Sequence, residues 1–430
     1  LDSLWQQKVF AIYAIKIALL YQLNGDKRMR HILFISDNFF PEPSALANRL
    51  YDHARIWVRN GYKVTILTCV PNFPTGIVFY GYKNNWRQVE DLEGINVIRI
   101  KSYTAANKGS LKRIFDYMSF ALHAAVQGLF VQKPDIVIGT SPQPFTVFAA
   151  WFVARMKRKP FVFELRDLWP ESIIAVDAMG HENFFLRFFS WGIKRMYHTA
   201  DVIISVTDSF KKILIDENGI DPHKIVICKN GVNLSEVSVS IDPQVLRQRY
   251  KIQDKYLVGY VGTIGMAHSI ETILQAAKQS TDAKIHFIIM GQGAERDEIK
   301  AKSSALTNVT FIDGGNRQDA INITNMLDAC IVHLKDTPLF RTVIPSKIFE
   351  VMALGKPILM GVEGEAREIV IDQAQAGIPF QPQNVDSLNV AIDKVQTLQF
   401  DAEKTREFVK REFDRDTIAL RMLEEIAKIV

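Results

Sequence analysis

From residue 29 onward the chain alternates short, unbroken apolar runs with stretches of helical period, and it does so in two successive series. HILFIS (31–36), ANRLYDHARIWVRNG (47–61) and KVTILTC (63–69) open the first series. An apolar run without a polar alternate suits a strand covered on both faces, and two such strands flanking a helix make a βαβ unit. INVIRI, DIVIGT, FVFEL and DVIISV continue the series, with helical patterns at LKRIFDYMSFALHAAVQGLF and SPQPFTVFAAWFVARMKR between them. KIVICKNGVN (224–233) then reads as a strand running into an Asn-Gly turn, followed by irregular VSVSIDPQ, which marks a domain junction. A second series starts at YLVGYVGT (256–263) and runs through IHFIIMG, VTFID, ACIVHL and PILMG. The predicted fold is α/β: two doubly wound parallel sheets, each expected to bind ligands beyond the carboxyl ends of its strands. The expected domains are 29–235 and 236–405, with a C-terminal helix over 406–430 that crosses back to the first domain.

Composition narrows the function classes. With 430 residues, 48% hydrophobic and 23% charged, the chain can bury large cores. A net charge of +5 without a dense run of Lys and Arg suits an anionic small molecule or an anionic membrane surface, and it excludes a dedicated nucleic-acid grip. Cys69, Cys228 and Cys330 are too far apart for a disulfide framework or a zinc pair, which fits a reducing compartment. Residues 1–28 contain the apolar stretch VFAIYAIKIALLYQL, shorter than the roughly 20 residues that cross a bilayer and interrupted by Lys16. They read as an extension, upstream of a natural start near Met29, that forms a helix lying on the protein or on a membrane surface.

The segment TVIPSKIFEVMALGKPIL (342–359) carries the most chemistry. Pro345 and Ser346 mark a helix start, and Gly355 with Pro357 marks its end, so a helix is predicted from Lys347 to Leu354. Lys347 and Glu350 share one face, separated by about 4.5 Å of rise. Free N–H groups at Ser346 and the charge of Lys347 would bind a diphosphate, and Glu350 would accept from a diol. Phosphate beside diol describes a nucleotide. Taken alone, the same two residues are equally an exposed ion pair on a solvated face. VGTIGMAHSIE (261–271) and MGQGAER (290–296) add glycines between strand and helix, at Gly262, Gly265, Gly291 and Gly293, where a phosphate could approach backbone. Neither matches Gly-x-Gly-x-x-Gly, which argues against a dinucleotide-dependent oxidoreductase.

In the first domain, FFPEPSALANR (39–49) follows the first strand without any glycine. Its Ser44 and Ala45 would let a substrate approach the helix start, with Arg49 beside them; the alternative is a plain strand-to-helix connection. The only Asp-x-Asp, Asp414-Arg415-Asp416, reads as a helix cap, so no metal site is expected.

Together these segments resemble family 4 of the nucleotide-sugar glycosyltransferases, from about Met29 to the C-terminus. Asn230-Gly231-Val232, the Gly291-Gln292-Gly293 turn with Arg296, and Glu350-Val351-Met352-Ala353-Leu354-Gly355-Lys356-Pro357 carry the resemblance. It implies a GT-B fold, with two Rossmann-like domains facing a central cleft, and a metal-independent enzyme without cofactor in which Glu350 holds the nucleotide ribose. FFPEPSALANR, PNFPTGIVFYGY (71–82) and ELRDLWPES (164–172) are similar to the subgroup that builds bacterial O-antigens and capsules, including N-acetyl-L-fucosaminyl transferases. The chain departs from the family pattern in places. Thr342 stands where a second glutamate is usual, and Thr263 and His268 stand where an arginine and a lysine usually meet the diphosphate. Arg341, Lys347 and a protonated His268 are then the expected charges. Where the family has a histidine near the sugar, this chain has Arg166 followed by Asp167, either a contact to donor or acceptor or a buried ion pair.

The resemblance implies a retaining transfer of a sugar, such as N-acetyl-L-fucosamine or another amino or deoxy sugar. The donor would be a nucleotide diphosphate sugar and the acceptor a lipid-linked glycan of the O-antigen or capsule type. The implied site is Arg166, Asp167, Lys347 and Glu350 for catalysis, with Thr263, Gly265, His268, Gly291, Arg341, Thr342 and Ser346 on the donor side and Ser44, Ala45 and Arg49 on the acceptor side. ENFFLRFFSWGIKRMYH (182–198) mixes aromatic and basic residues as a helix at a lipid interface does, or as a core helix does; with the implied acceptor, it points to a bacterial cytoplasmic protein at the inner membrane. Two other functions share the resemblance: a catalytically inactive nucleotide-sugar-binding subunit, and a GT-B nucleotide-sugar epimerase.

Overall fold

The computed structural model describes residues 29–105, 110–168 and 184–429, apart from the side chains of 110–111 and 184–189. The extension expected at 1–28 and all of WPES (169–172) lie outside the described residues. The chain divides into two compact units, Leu1–Asn230 with Arg415–Val430, and Gly231–Asp414. The first division falls earlier than the expected 235/236, because Val232 N–H donates to Phe413 O (3.0 Å) and Val232 pairs with Asp414, tying the linker into the second unit. The expected helix over 406–430 is two helices. Ala402–Phe413 sends Val409 and Phe413 into the second core. Arg415–Ala427 packs on the first-unit helix Ala45–Arg59, where Arg415 meets Asp52 (2.5 Å) and Trp57 Nε1–H donates to Ala419 O (3.0 Å).

The first unit holds β1 (His31–Ile35), β2 (Lys63–Cys69), β3 (Arg87–Leu92), β4 (Ile95–Ile100), β5 (Ile136–Thr140), β6 (Phe161–Leu165), β7 (Val202–Ser205) and β8 (Ile225–Ile227). Their order is β3-β4-β2-β1-β5-β6-β7-β8, parallel throughout except for β3 against β4. β1 sits between β2 (His31↔Lys63) and β5 (Ile32↔Ile136), and the order of connection reverses there. β3 escapes a search for apolar runs because it is an exposed edge of RQVEDL, turned onto β4 through Glu93 and Gly94, both at positive φ.

The second unit holds β9 (Tyr256–Val261), β10 (Ile285–Gly291), β11 (Val309–Asp313), β12 (Ala329–His333), β13 (Ile358–Gly361) and β14 (Gly377–Pro379). All are parallel, in the order β11-β10-β9-β12-β13-β14, with the reversal between β9 and β12. Successive strand residues enter two different cores. Leu257, Ile288, Val332 and Met360 join Phe349 and Phe413 on one face, while Val258, Phe287, Ile331 and Leu359 join Ile273 and Leu388 on the other. This two-sided burial is why the strands read as continuous apolar runs, and each fully buried side chain contributes roughly 1.5–3 kcal/mol.

Candidate functional site

A cavity of about 300 Å³ opens in the second unit beside the reversal between β9 and β12. Gly262, Thr263 and His268 line it from the β9 side, Cys330 from β12, and Ser346, Lys347 and Glu350 from the short helix Lys347–Ala353. In an open doubly wound sheet this is where ligands bind, because the loops on either side of the reversal part company.

Lys347 is the centre of the cavity's chemistry. Its Nζ is shielded from solvent, makes no hydrogen bond, and sits 3.7 Å from the centroid of the Tyr260 ring. The Tyr260 hydroxyl donates to Thr263 O (2.6 Å), which fixes that ring. Gly262 makes the arrangement possible: a Cβ there would lie 2.6 Å from Lys347 Nζ. Burial pushes the Lys347 ammonium down to about 7, with Cys330 and Glu350 opposing that shift. A lysine so placed holds a proton only weakly until an anion arrives.

Glu350 lies one turn further along the helix. Arg317 Nη2 reaches its Oε1 at 3.3 Å, and Nη1 of Arg317 meets Glu236. Glu350 is therefore held in place by a residue that sequence reasoning missed. Arg317 opens the helix Arg317–Met326, whose capping box of Asn316 and Asp319 fixes where the arginine starts. Asn316 starts that helix two glycines after β11, which the sequence could show; the pairing of Arg317 with Glu236, 81 residues away, it could not.

The other expected donor-side residues separate into two groups. Thr263, His268 and Ser346 line the cavity; Gly265, Gly291, Arg341 and Thr342 are not among its lining residues. His268 is not a cation, because burial and the nearby Lys347 push it down to about 3. Arg341 is exposed and donates to Asp336 (2.9 Å), and the Thr342 hydroxyl donates to Leu339 O (2.6 Å). Both belong to the turn before the helix. Gly291 serves the fold: a Cβ there would fall 1.8 Å from Gly262 O, so the β9 and β10 turns can pack only without it. The helix start is also less of an anion site than expected, since it opens a helix of seven residues and Ile348 N–H and Phe349 N–H already donate to Pro345 O and Ser346 O.

In the first unit Ser44 is the N-cap of helix Ala45–Arg59, accepting from Ala47 N–H (3.1 Å). Ala45 is simply the first residue of that helix. Arg49 is not on an acceptor surface: it is buried, and it donates to Glu164 (3.1 Å), Cys228 O (3.0 Å) and Lys229 O (2.9 Å), tying the helix across the sheet. Arg166 and Asp167 follow β6, their backbone N–H groups donating to the Ser141 hydroxyl (2.7 and 3.1 Å). Burial pushes the Arg166 guanidinium down to about 10, with Glu164 and Asp167 opposing the shift. Neither residue lines the cavity at the reversal between β1 and β5. That cavity, of about 260 Å³, is lined by Ser44 together with Asp37, Glu42, Asp116 and Arg113, four residues absent from the expected site. Asp414-Arg415-Asp416 spans the break between the last two helices, and among the described residues no cluster of ligand side chains is suited to a metal.

Two doubly wound parallel-sheet units in tandem give the chain the GT-B fold of its structural neighbours. Residues 46–236 match the family described as Glycosyltransferase Family 4, and residues 243–413 match Glycosyl transferases group 1. By these matches the first unit carries a Glycosyltransferase Family 4 domain and the second a Glycosyl transferases group 1 domain. The chain is 22% identical over 407 residues to the putative colanic acid biosynthesis glycosyl transferase WcaI of Escherichia coli, covering 92% of this chain and 99% of that one. Its fold matches that of Anabaena Alr3699/HepE, solved in complex with UDP and glucose, with a TM-score of 0.66 at 16% identity over 93% of this chain and 100% of the other. The sucrose-phosphate synthase of Thermosynechococcus elongatus matches with a TM-score of 0.71 at 15% identity, over 93% and 98% of the two chains.

Proposed function

We propose that the protein transfers a sugar from a nucleotide diphosphate donor to a lipid-linked glycan during bacterial polysaccharide synthesis, retaining the anomeric configuration and using no metal. The observation that carries the reading is Lys347, a shielded ammonium without a hydrogen-bond partner, facing a cavity at the β9–β12 reversal. As the bond from the anomeric carbon to the diphosphate breaks, the acceptor oxygen bonds to the same carbon on the same face and its proton passes to the departing diphosphate oxygen. Negative charge then gathers on the diphosphate, and the ammonium stabilises it where little water competes. Glu350, steadied by Arg317, is the ribose anchor. The UDP named in the complex of HepE supports a nucleotide diphosphate donor, and the colanic acid biosynthesis named for WcaI supports a role in building a polysaccharide.

The donor sugar is proposed to be an amino or deoxy sugar such as N-acetyl-L-fucosamine, on the strength of FFPEPSALANR, PNFPTGIVFYGY and ELRDLWPES alone. Peripheral contact with the inner membrane is proposed from an exposed apolar stripe: Phe115, Met118, Leu122 and Val126 recur along the outside of helix Ser110–Leu129, with Phe152, Met156 and Trp191 exposed on the two helices that follow. No helix among the described residues is long and apolar enough to cross a membrane, so contact would be with the surface.

A panel of nucleotide diphosphate sugars tests the donor reading. One of them is expected to raise the melting temperature of the wild-type protein and to leave that of Lys347→Met unchanged, because a ligand stabilises only the state that binds it. Stabilisation of both proteins to the same degree would remove the lysine from the site. Sugar released without any acceptor would instead favour the hydrolysing epimerase, and donor binding without turnover the inactive subunit.

A further inference from the structure

The first-unit cavity contains a carboxylate that the fold has only half used. Glu42 is 2% exposed. Its Oε1 accepts from the N–H groups of Asn72 (2.7 Å) and Phe73 (2.8 Å), while its Oε2, equally shielded, has no partner. Oδ1 of Asp37 is shielded and without a partner on the same loop, and Asp116 adds a third carboxylate from helix Ser110–Leu129. Among the described residues that line the cavity the one cation is Arg113, and it already donates to the Tyr117 hydroxyl (2.7 Å). Burial together with the neighbouring Asp37 pushes Glu42 up to about 7 and Asp116 up to about 7, and burial pushes Asp37 itself up to about 6.

Two unsatisfied acceptors call for donors, and three carboxylates against one guanidinium call for positive charge. A neutral polyol would supply the donors and leave the charge excess in place. An ammonium group supplies both, since it carries three N–H donors and a full charge. The Tyr117 and Phe120 side chains on the same cavity wall suit the carbon skeleton of a sugar. We propose that this cavity is a subsite for an amine-bearing sugar, its ammonium group held by Glu42 and Asp37, and that the acceptor accordingly presents a free amino group. Only the identification of that sugar as the acceptor rests on the glycosyl-transfer reading; the cation site does not.

Protons compete with such a ligand. The groups facing Glu42 are Asp37 on its own loop, Asp116, Arg113 and Tyr117 on the neighbouring helix, and Cys69 at the end of β2, whose thiol burial keeps neutral. Arg99, behind Cys69, is tied to Glu90 (2.7 Å) and to the carbonyls of Cys69 and Phe40. Ammonium binding needs the carboxylates ionised, so it should release protons and weaken as pH falls below about 6 to 7.

The test is a binding titration of the full chain, followed by NMR, with D-glucosamine and N-acetyl-D-glucosamine, two sugars that differ in whether the nitrogen is charged. At pH 7 glucosamine is expected to bind at least about tenfold more tightly, and to lose about tenfold or more in affinity at pH 5. Glu42→Gln keeps an oxygen for Asn72 and Phe73 while removing the charge, and it should erase the preference; an unchanged thermal response to UDP, bound in the other unit, would show that the variant is folded. Should it not fold, Asp37→Asn makes the same comparison. Equal affinity for the two sugars, an absence of binding by both, a preference that survives Glu42→Gln, or tighter binding at pH 5 would each overturn the proposal. A failed transfer assay would leave this binding result standing, and the reverse holds as well.

Discussion

The two units place a cavity at the same point of the same topology and give it opposite charge. In each, the strand order reverses beside the first strand of the sheet, between β1 and β5 in one unit and between β9 and β12 in the other, and the loops there part to leave space. One cavity is built round an ammonium group without a partner, the other round carboxylate oxygens without partners. The backbone decides where a ligand can sit; a few buried polar side chains decide its charge. The proton linkage is opposite too. Lys347 is lowered to about 7, so an anion bound beside it raises its pKa and takes up a proton, and binding weakens as pH rises above about 7. Glu42 is raised to about 7, so a bound cation releases a proton and binding strengthens as pH rises toward about 7 and levels off above it.

The largest effect should come from removing the cation. Lys347→Met keeps a long apolar side chain over Tyr260 and deletes the charge, and transfer is expected to slow about a hundredfold, the equivalent of roughly 2–3 kcal/mol for a charge-assisted contact. The same variant tests the burial of the ammonium in the empty protein. Because the folded-state pKa lies below the ordinary value of 10.5, the unfolded chain binds more protons between about 7 and 10.5, and wild-type stability should rise with pH across that window. Urea titrations at pH 7 and pH 9 should show that rise in the wild type and lose it in Lys347→Met. An undiminished rate, with the pH dependence kept, would mean that the two cavities do not differ in the way their charges suggest.

Glu350→Gln should have a smaller effect. Arg317 keeps its pairing with Glu236, so the helix Arg317–Met326 stays anchored and the fold should survive. Hydrogen bonds from a diol to a neutral amide oxygen are weaker than to a carboxylate, and donor affinity is expected to fall about tenfold with little change in the melting temperature of the empty protein. Calorimetric titration with the donor checks this. A loss of stability without a loss of affinity would recast Glu350 as the partner of Arg317 alone and leave the second cavity defined by Lys347.

What the sequence could show follows the same division between backbone and buried charge. Strands buried on both faces appear as apolar runs, so β1, β2, β9 and β10 were legible, and the helix predicted from Lys347 to Leu354 ends one residue earlier, at Ala353. β3 was not, because an exposed antiparallel edge needs no apolar run. Lys347 and Glu350 could be found because one turn of one helix holds both. Glu42, Asp37 and Asp116 could not, because they meet at their cavity only through packing between segments distant in the chain, and neither could the contact of Arg317 with Glu350, 33 residues away. Arg49 is the reverse case: its place in FFPEPSALANR set it beside Ser44 and Ala45, while its carbonyl and carboxylate partners lie 115 or more residues away.

The smallest effect is expected at Arg341, and it is the sharpest check on where the second cavity gets its charge. Its guanidinium donates to Asp336 within the same turn, at 2.9 and 3.3 Å, and its side chain is 55% exposed. An exposed pair of this kind is worth about 0–1 kcal/mol, since water and salt compete with it and two flexible side chains must be ordered to form it. Arg341→Ala should therefore change donor affinity by less than about twofold and stability by a few tenths of a kcal/mol. A tenfold loss would require Arg341 to leave Asp336 and turn toward the diphosphate when the donor binds. The second cavity would then draw its charge from a mobile surface arginine as well as from the buried lysine, and its contrast with the fixed carboxylates of the first would be one of flexibility as much as of sign.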